Sequence, residues 1–212
     1  TEVRGTYSGR KQDLRTGSYL VVPNHSLLNL KKSFTIQAFI YPTTPLKGLQ
    51  GIISNLSPNR TGGYGLFIAE DGSLALRIVS QNGQIQQLKT GKPLRAGDWY
   101  FAAAVFDDKE GKITLHQNPL NKWPLDQSDS SMAKLVNPSL QVENHCPLLI
   151  AAYWTQDKNK NSQVDGLYNG KIANPQIFNR VLNKQELESL RSLSIPPSAA
   201  DAVIASWDFA QG

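Results

Sequence analysis

One stretch constrains the fold more than any other: Lys32-Ser33-Phe34-Thr35-Ile36-Gln37-Ala38-Phe39-Ile40-Tyr41-Pro42. Phe34, Ile36, Ala38 and Ile40 fall on one side of an extended chain, and Thr35, Gln37, Phe39 and Tyr41 fall on the other. That period of two marks a strand with a wholly apolar inner face. Pro42 stops it, because proline has no N–H to donate to a ladder.

The same logic recurs along the chain. Gly17-Ser18-Tyr19-Leu20-Val21-Val22-Pro23 is a short strand, and Leu27, Leu28 and Leu30 are expected to plug one end of the core. Gly51 to Asn55 is a second short, buried strand. Tyr64 to Ala69 and Leu74 to Val79 flank Glu70-Asp71-Gly72-Ser73, a hairpin signal because glycine accepts positive φ. Asn82-Gly83 repeats the device. Trp99 to Phe106 is apolar on both faces, as a central strand covered above and below requires.

Asp107 to Gly111 turns the chain into a strand at Lys112–His116. Residues 118–146, broken by Pro119, Pro124 and Pro138, read as a long surface excursion. Leu148 to Ala152 is a buried strand, Gln156 to Gly166 a polar loop, and Tyr168 to Phe178 a return to the sheet. Asn183 and Glu186 form a capping box, with Leu187, Leu190 and Leu193 as the apolar stripe of one helix that Pro196-Pro197 ends. Val203, Ala205, Trp207 and Phe209 alternate in a last strand, expected to pair near the first. The fold class is therefore all-β, a two-sheet antiparallel jelly-roll sandwich with one short helix near the C-terminus.

A length of 212 residues fits one such domain, residues 1–212, with 1–16 as a polar lead-in. Thr1 at the start, and a strand pattern running almost to the end, lead us to expect a piece of a longer multidomain chain. The net charge of +5 is spread thinly; Arg10-Lys11 and Lys158-Asn159-Lys160 are too short to track a nucleic-acid backbone. No apolar run is long enough to span a bilayer, so neither nucleic acid nor membrane is expected as a partner. The single cysteine, Cys146, reads as an inert thiol. With no signal-peptide pattern at the start, it favours a reducing, cytoplasmic setting and leaves secretion open.

Several blocks, taken in order, resemble the laminin-G-like, concanavalin A-like superfamily. They are Ser33 to Pro42; Gly63 to Ile68 with Asp71-Gly72; Leu94-Arg95-Ala96-Gly97-Asp98-Trp99-Tyr100 running into Val105-Phe106-Asp107; Leu149 to Ala152; and Gly170-Lys171-Ile172-Ala173 with Phe178 to Leu182 and Glu186-Leu187. A narrower resemblance rests on Tyr41-Pro42-Thr43-Thr44-Pro45, Gly91-Lys92-Pro93-Leu94 and Ala205-Ser206-Trp207-Asp208-Phe209. These are similar to the sandwich domain in the large subunit of N,N-dimethylformamidase-type proteins. That resemblance implies an accessory, non-catalytic role beside other domains or subunits, with the amidase chemistry in a separate metal-bearing domain. Two departures bear on binding. His116-Gln117-Asn118-Pro119 stands where many laminin-G-like domains read Tyr-x-Asp-Gly, and Ala173 replaces an acid that often follows Gly-Lys-Ile.

Catalytic residues are not apparent. Glycosidase chemistry needs two opposed carboxylates, and no strand carries them at alternate positions; Glu186 and Glu188 read as a solvated helix face. Asp157, Asn159, Asn161 and Asp165 alternate as in a calcium loop, but Ser162 and Tyr168 replace its glycine and glutamate. Calcium is thus the cofactor this spacing suggests, and none is expected. His25, His116 and His145 are scattered. Phe39, Tyr41, Trp123, Tyr153 and Trp154 are the candidate contact residues, since exposed rings stack on sugars or anchor a neighbouring domain. A glycan-binding module is the rival reading. Asn24-His25-Ser26, Asn55-Leu56-Ser57 and Asn59-Arg60-Thr61 match the glycosylation acceptor pattern.

Overall fold

The structure, a computed structural model, describes residues 17–59, 61–80, 82–121, 123–124, 126–136 and 145–209. In chain order the strands are β1 (Leu20–Val22), β2 (Phe34–Pro42), β3 (Gln50–Leu56), β4 (Gly63–Ile68), β5 (Leu74–Val79), β6 (Ile85–Lys89) and β7 (Tyr100–Asp107). They continue as β8 (Lys112–Pro119), β9 (Ser130–Leu135), β10 (Leu148–Ile150), β11 (Tyr153–Gln156), β12 (Ser162–Asp165), β13 (Gly170–Phe178) and β14 (Val203–Ser206). The helix α1 (Lys184–Arg191) lies between the last two.

Two six-stranded antiparallel sheets face each other, ordered β1-β10-β3-β4-β5-β6 and β14-β13-β2-β7-β8-β9. Between them lie Phe34, Ile36, Ala38 and Ile40 of β2 with Tyr100, Ala102, Ala104 and Phe106 of β7. Opposite are Tyr64, Leu66 and Ile68 of β4 with Leu74, Leu76 and Ile78 of β5. The inner side of β2 is the one its alternation dictates. Each ring or branched chain so buried contributes roughly 1.5–3 kcal/mol of transfer free energy. The Tyr64 hydroxyl reaches the carbonyl of Leu28 at 2.9 Å, and burial holds its pKa well above the phenol range.

The outer side of β2 is also covered. Phe39, 4 % exposed, stacks on Phe101 at 5.5 Å between ring centroids, beneath Leu182, Leu187 and Leu190. The approach to the helix is tied to β2 by the Thr35 hydroxyl, which donates to the carbonyl of Arg180 and accepts from the N–H of Leu182. The capping box forms as expected: the Asn183 side chain accepts from the N–H of Glu186, and Glu186 accepts from the N–H of Asn183. Arg180 then grips Glu186 through both its terminal nitrogens, at 2.7 and 3.0 Å.

The outer side of the first sheet is covered differently. A hairpin of β11 and β12 lies over β3 and sets the Tyr153 ring edge-on to Phe67 at 5.8 Å. Two glycines allow the approach. A Cβ on Gly51 would lie 2.3 Å from the carbonyl oxygen of Ala152, and one on Gly166 would enter the Tyr153 ring. Gly166 also has φ +56, which glycine adopts without strain.

Five expectations need correction. The excursion at 118–146 contains β9, which pairs along β8 from Gln117 to Lys112. The polar loop at 156–166 is mostly the hairpin, whose hydrophilic strands have no apolar alternation to reveal them. The last strand pairs with β13 in the second sheet rather than near β1 in the first. The helix ends at Arg191, before Pro196-Pro197, because the chain turns at Leu193 with φ +59. Leu27 is exposed, whereas Leu28 and Leu30 enter the core. The lead-in at 1–16 with Arg10-Lys11, and Arg60 of the third acceptor triplet, lie outside the described residues.

Candidate functional site

Two of the candidate rings, Tyr41 and Trp123, lie at one end of the second sheet. Lys171, Tyr41 and Trp99 follow one another across β13, β2 and the entry to β7. Tyr41 and Trp99 have ring centroids 5.5 Å apart at 54°, and the Lys171 ammonium lies 5.5 Å from the Tyr41 ring centre. The loop before β7 carries the surface onward. Gly97, at φ +80, donates its N–H to the carbonyl of Pro42, which brings Asp98 to the edge. Asp98 accepts from the Trp123 indole N–H at 3.2 Å and pairs with Arg95 at 3.2 Å, while the Arg95 guanidinium lies 5.4 Å from the Trp123 ring centre. Trp123 is 48 % exposed and Leu120 is also open, its N–H donating to the carbonyl of Trp99.

Two buried side chains pin this rim from below. The Tyr100 hydroxyl accepts from the N–H of Arg95 at 2.8 Å and meets the Ser128 hydroxyl at 2.7 Å. Burial raises its pKa, and those hydrogen bonds oppose the rise. Gln117 sits between the sheets with all its amide groups engaged. Its NH2 donates to the carbonyls of Lys92 and Ser128, and its oxygen accepts from the N–H of Leu74 and the hydroxyl of Thr90. The loops on either side of Trp123 are therefore fastened to the core (a property of fixed binding surfaces rather than of adaptable ones).

A second concavity, about 580 Å³, runs between α1 and the outer side of β7 and β8. Phe101, Val105 and Leu187 lie along it, and His116, Ser131, Glu188 and Arg191 are among its polar groups. The His116 Nδ1 meets the Ser131 hydroxyl at 3.2 Å. Burial lowers the His116 pKa and the Glu188 charge opposes that. Acyl transfer would also need donors aimed at a developing oxyanion. The nearby Asn118 amide is instead engaged with Asp129 at 2.8 Å.

The remaining candidates are separated. Phe39 lies on the outward face of β2 as its position in the alternation implies, but α1 buries it there, so it is not open for contact. Tyr153 covers Phe67, and Trp154 is half-buried with its indole N–H donating to the carbonyl of Pro147 at 2.9 Å. Asp157 accepts from the N–H groups of Asn159 and Asn161 and from the Asn161 amide, which hold its carboxyl below the usual range. Asp165 pairs with Tyr153 at the far end of the hairpin, so the four oxygen donors are not gathered around one point. Among the described residues no three His, Cys, Asp or Glu side chains cluster to hold a metal. Burial raises the pKa of Cys146. Glu186, placed on a solvated face from sequence, is 5 % exposed and belongs to the fold; Glu188 is open. No helix among the described residues is long and apolar enough to cross a membrane.

The sequence reading missed Trp99, Arg95 and Lys171 as parts of the rim. Arg95-x-x-Asp98 beside a tryptophan was the available signal; Lys171 becomes legible only through the β13–β2 register.

Residues 14–119 match the family described as the concanavalin A-like lectin/glucanases superfamily. Over 98 % of its length the chain is 30 % identical to the N,N-dimethylformamidase beta subunit of Paracoccus aminophilus. It spans 28 % of that relative and 29 % of a second such subunit, from an Alcaligenes species, which is 28 % identical. A heptameric SAP-like pentraxin from Limulus polyphemus superposes with a TM-score of 0.58 at 16 % identity, covering 93 % of this chain and 88 % of that one. The CBM40 of the Ruminococcus gnavus IT-sialidase superposes with 0.58 at 14 % identity, covering 82 % and 96 %. At such identities the last two likenesses are of fold alone.

Proposed function

This chain belongs to the concanavalin A-like lectin/glucanases superfamily, and from that premise we propose that it is a non-catalytic accessory sandwich within a larger enzyme of the N,N-dimethylformamidase type. Its role is domain packing, subunit contact or shaping access to a neighbouring active site, and the amide chemistry resides elsewhere in that enzyme. The observation that carries the reading is coverage. Nearly the whole chain aligns with relatives more than three times its length, as a module of a larger polypeptide would. The side chains agree with it. The buried polar groups Gln117, Thr35 and Glu186 are committed to the fold.

A glycan-binding module is the other reading, favoured by the likeness in fold to a CBM40. The rim fits it less well. A sugar stacks on an open ring face, whereas Tyr41 has both Lys171 and Trp99 against it and Trp123 carries Arg95. The test is to incubate the purified chain with N,N-dimethylformamide and to measure dimethylamine release. No turnover is expected, and turnover matching that of the intact enzyme would overturn the proposal.

A further inference from the structure

Resting on the accessory reading, we infer that the rim of Tyr41, Trp99 and Trp123 is the surface through which this sandwich binds the rest of its enzyme, and that the partner surface there is a carboxylate-bearing, apolar stretch of polypeptide. Tryptophan, tyrosine and arginine are the residues that dominate protein interfaces, and three such rings with Arg95 converge here. The charge sets the chemistry of the partner. Arg95, Lys171 and Lys92 border the rim. The neighbouring acids are engaged within this chain: Asp98 by Trp123 and Arg95, and Asp126 by the N–H and hydroxyl of Ser128. Arg95 is already paired with Asp98, whereas among the described residues Lys171 lies against the Tyr41 ring and Lys92 donates to the Asp129 carbonyl, so an opposing carboxylate is what the two lysines lack. Beside Arg95 the rim continues into a shallow depression of about 400 Å³, wide enough to seat an incoming side chain.

The surface is also preorganised. Gln117 and Tyr100 hold its loops before any partner arrives, so binding carries little ordering penalty. Among the described residues no other exposed region combines these properties. The hairpin tip at 157–161 has lysines without aromatic neighbours, and the exposed edge strand β9 carries Met132 and Leu135 with one lysine.

The test uses zero-length carbodiimide crosslinking of the intact enzyme that carries this chain, because that reagent joins lysine only to a carboxylate in contact. Mass spectrometry is expected to find Lys171 or Lys92 joined to an Asp or Glu outside these 212 residues. Lys171→Arg should remove the Lys171 crosslink while leaving the enzyme assembled. Trp123→Ala should accelerate proteolytic release of the sandwich roughly thirtyfold, in line with the loss of an interface anchor, whereas Leu135→Ala should not. Crosslinks from Lys158, Lys160 or Lys134 alone would overturn the placement of the interface and leave the accessory reading standing. If no lysine of this chain is joined to a carboxylate outside it, the inference fails, while the accessory reading stands or falls on the dimethylamine assay.

Discussion

The outer face of the second sheet lies beneath a helix, and the outer face of the first lies beneath a hairpin. Both covers bury a phenylalanine almost completely, Phe39 in one case and Phe67 in the other. They differ in how they are held. The helix is capped at Asn183 and clamped by the Arg180–Glu186 pair, and the Thr35 hydroxyl fastens its approach to β2. The hairpin rests on the Tyr153 ring and is tied at its base by neutral backbone bonds, Gly51 N–H to the Gly166 carbonyl and Ala151 N–H to the Ile52 carbonyl. A cover clamped by charge-assisted bonds yields less to a void than one held by an aromatic edge and neutral backbone bonds at its base.

The largest effect should separate these two covers. Phe39→Ala is expected to destabilise the chain by about 4 kcal/mol, the range for a ring removed from a core that collapses little. Phe67→Ala is expected to lower stability by about 2–3 kcal/mol, because the hairpin follows the lost volume. Equal losses in denaturant unfolding would break the comparison.

A smaller effect comes from the clamp. Arg180→Ala leaves a nearly buried carboxylate without its main partner and should lower stability by about 2 kcal/mol, discounted for the part-exposed guanidinium. The clamp also has a pH signature. The Arg180 side chain, against the opposing effect of burial, holds the Glu186 carboxyl down at about 2, below the ordinary 4.5. A group whose pKa falls on folding stabilises the folded state when ionised. Its contribution is therefore complete above pH 4.5 and is lost as the pH falls toward 2. Thermal melts of Glu186→Gln should show a shallower decline than the wild type across that window; parallel declines would contradict the assignment.

The smallest effect lies in the groove between the helix and β8. The imidazole of His116 should titrate below the usual histidine range by NMR, and Glu188→Gln should lower its midpoint further, since the Glu188 charge favours the protonated ring. An unchanged midpoint would mean that the helix does not sit over β8 as described.

How much of this was legible follows the same division. Alternation in β2 and β7 revealed both the sandwich and its inner faces, because each apolar position there meets the opposite sheet. The helix was legible from Asn183 and Glu186, since capping is a local device. The partner of Glu186 was less so: Arg180 lies six residues away, before the cap, where spacing alone implies no contact. The hairpin and β9 were hidden because their strands are hydrophilic and their burial is one-sided or slight. In the rim, Tyr41 and Trp123 were visible as aromatic residues at the edge of pattern. Their joining through Gly97 and Asp98 depends on a backbone turn and a long-range indole hydrogen bond, which no periodicity records.

The central claim is that the tryptophan-bearing end of the sandwich is open in this chain and closed in the enzyme. Acrylamide quenching of Trp123, assigned by difference with Trp123→Phe, tests it directly. The account predicts a readily quenched Trp123 in the chain alone and a protected one in the intact enzyme. Equal quenching in both would contradict it.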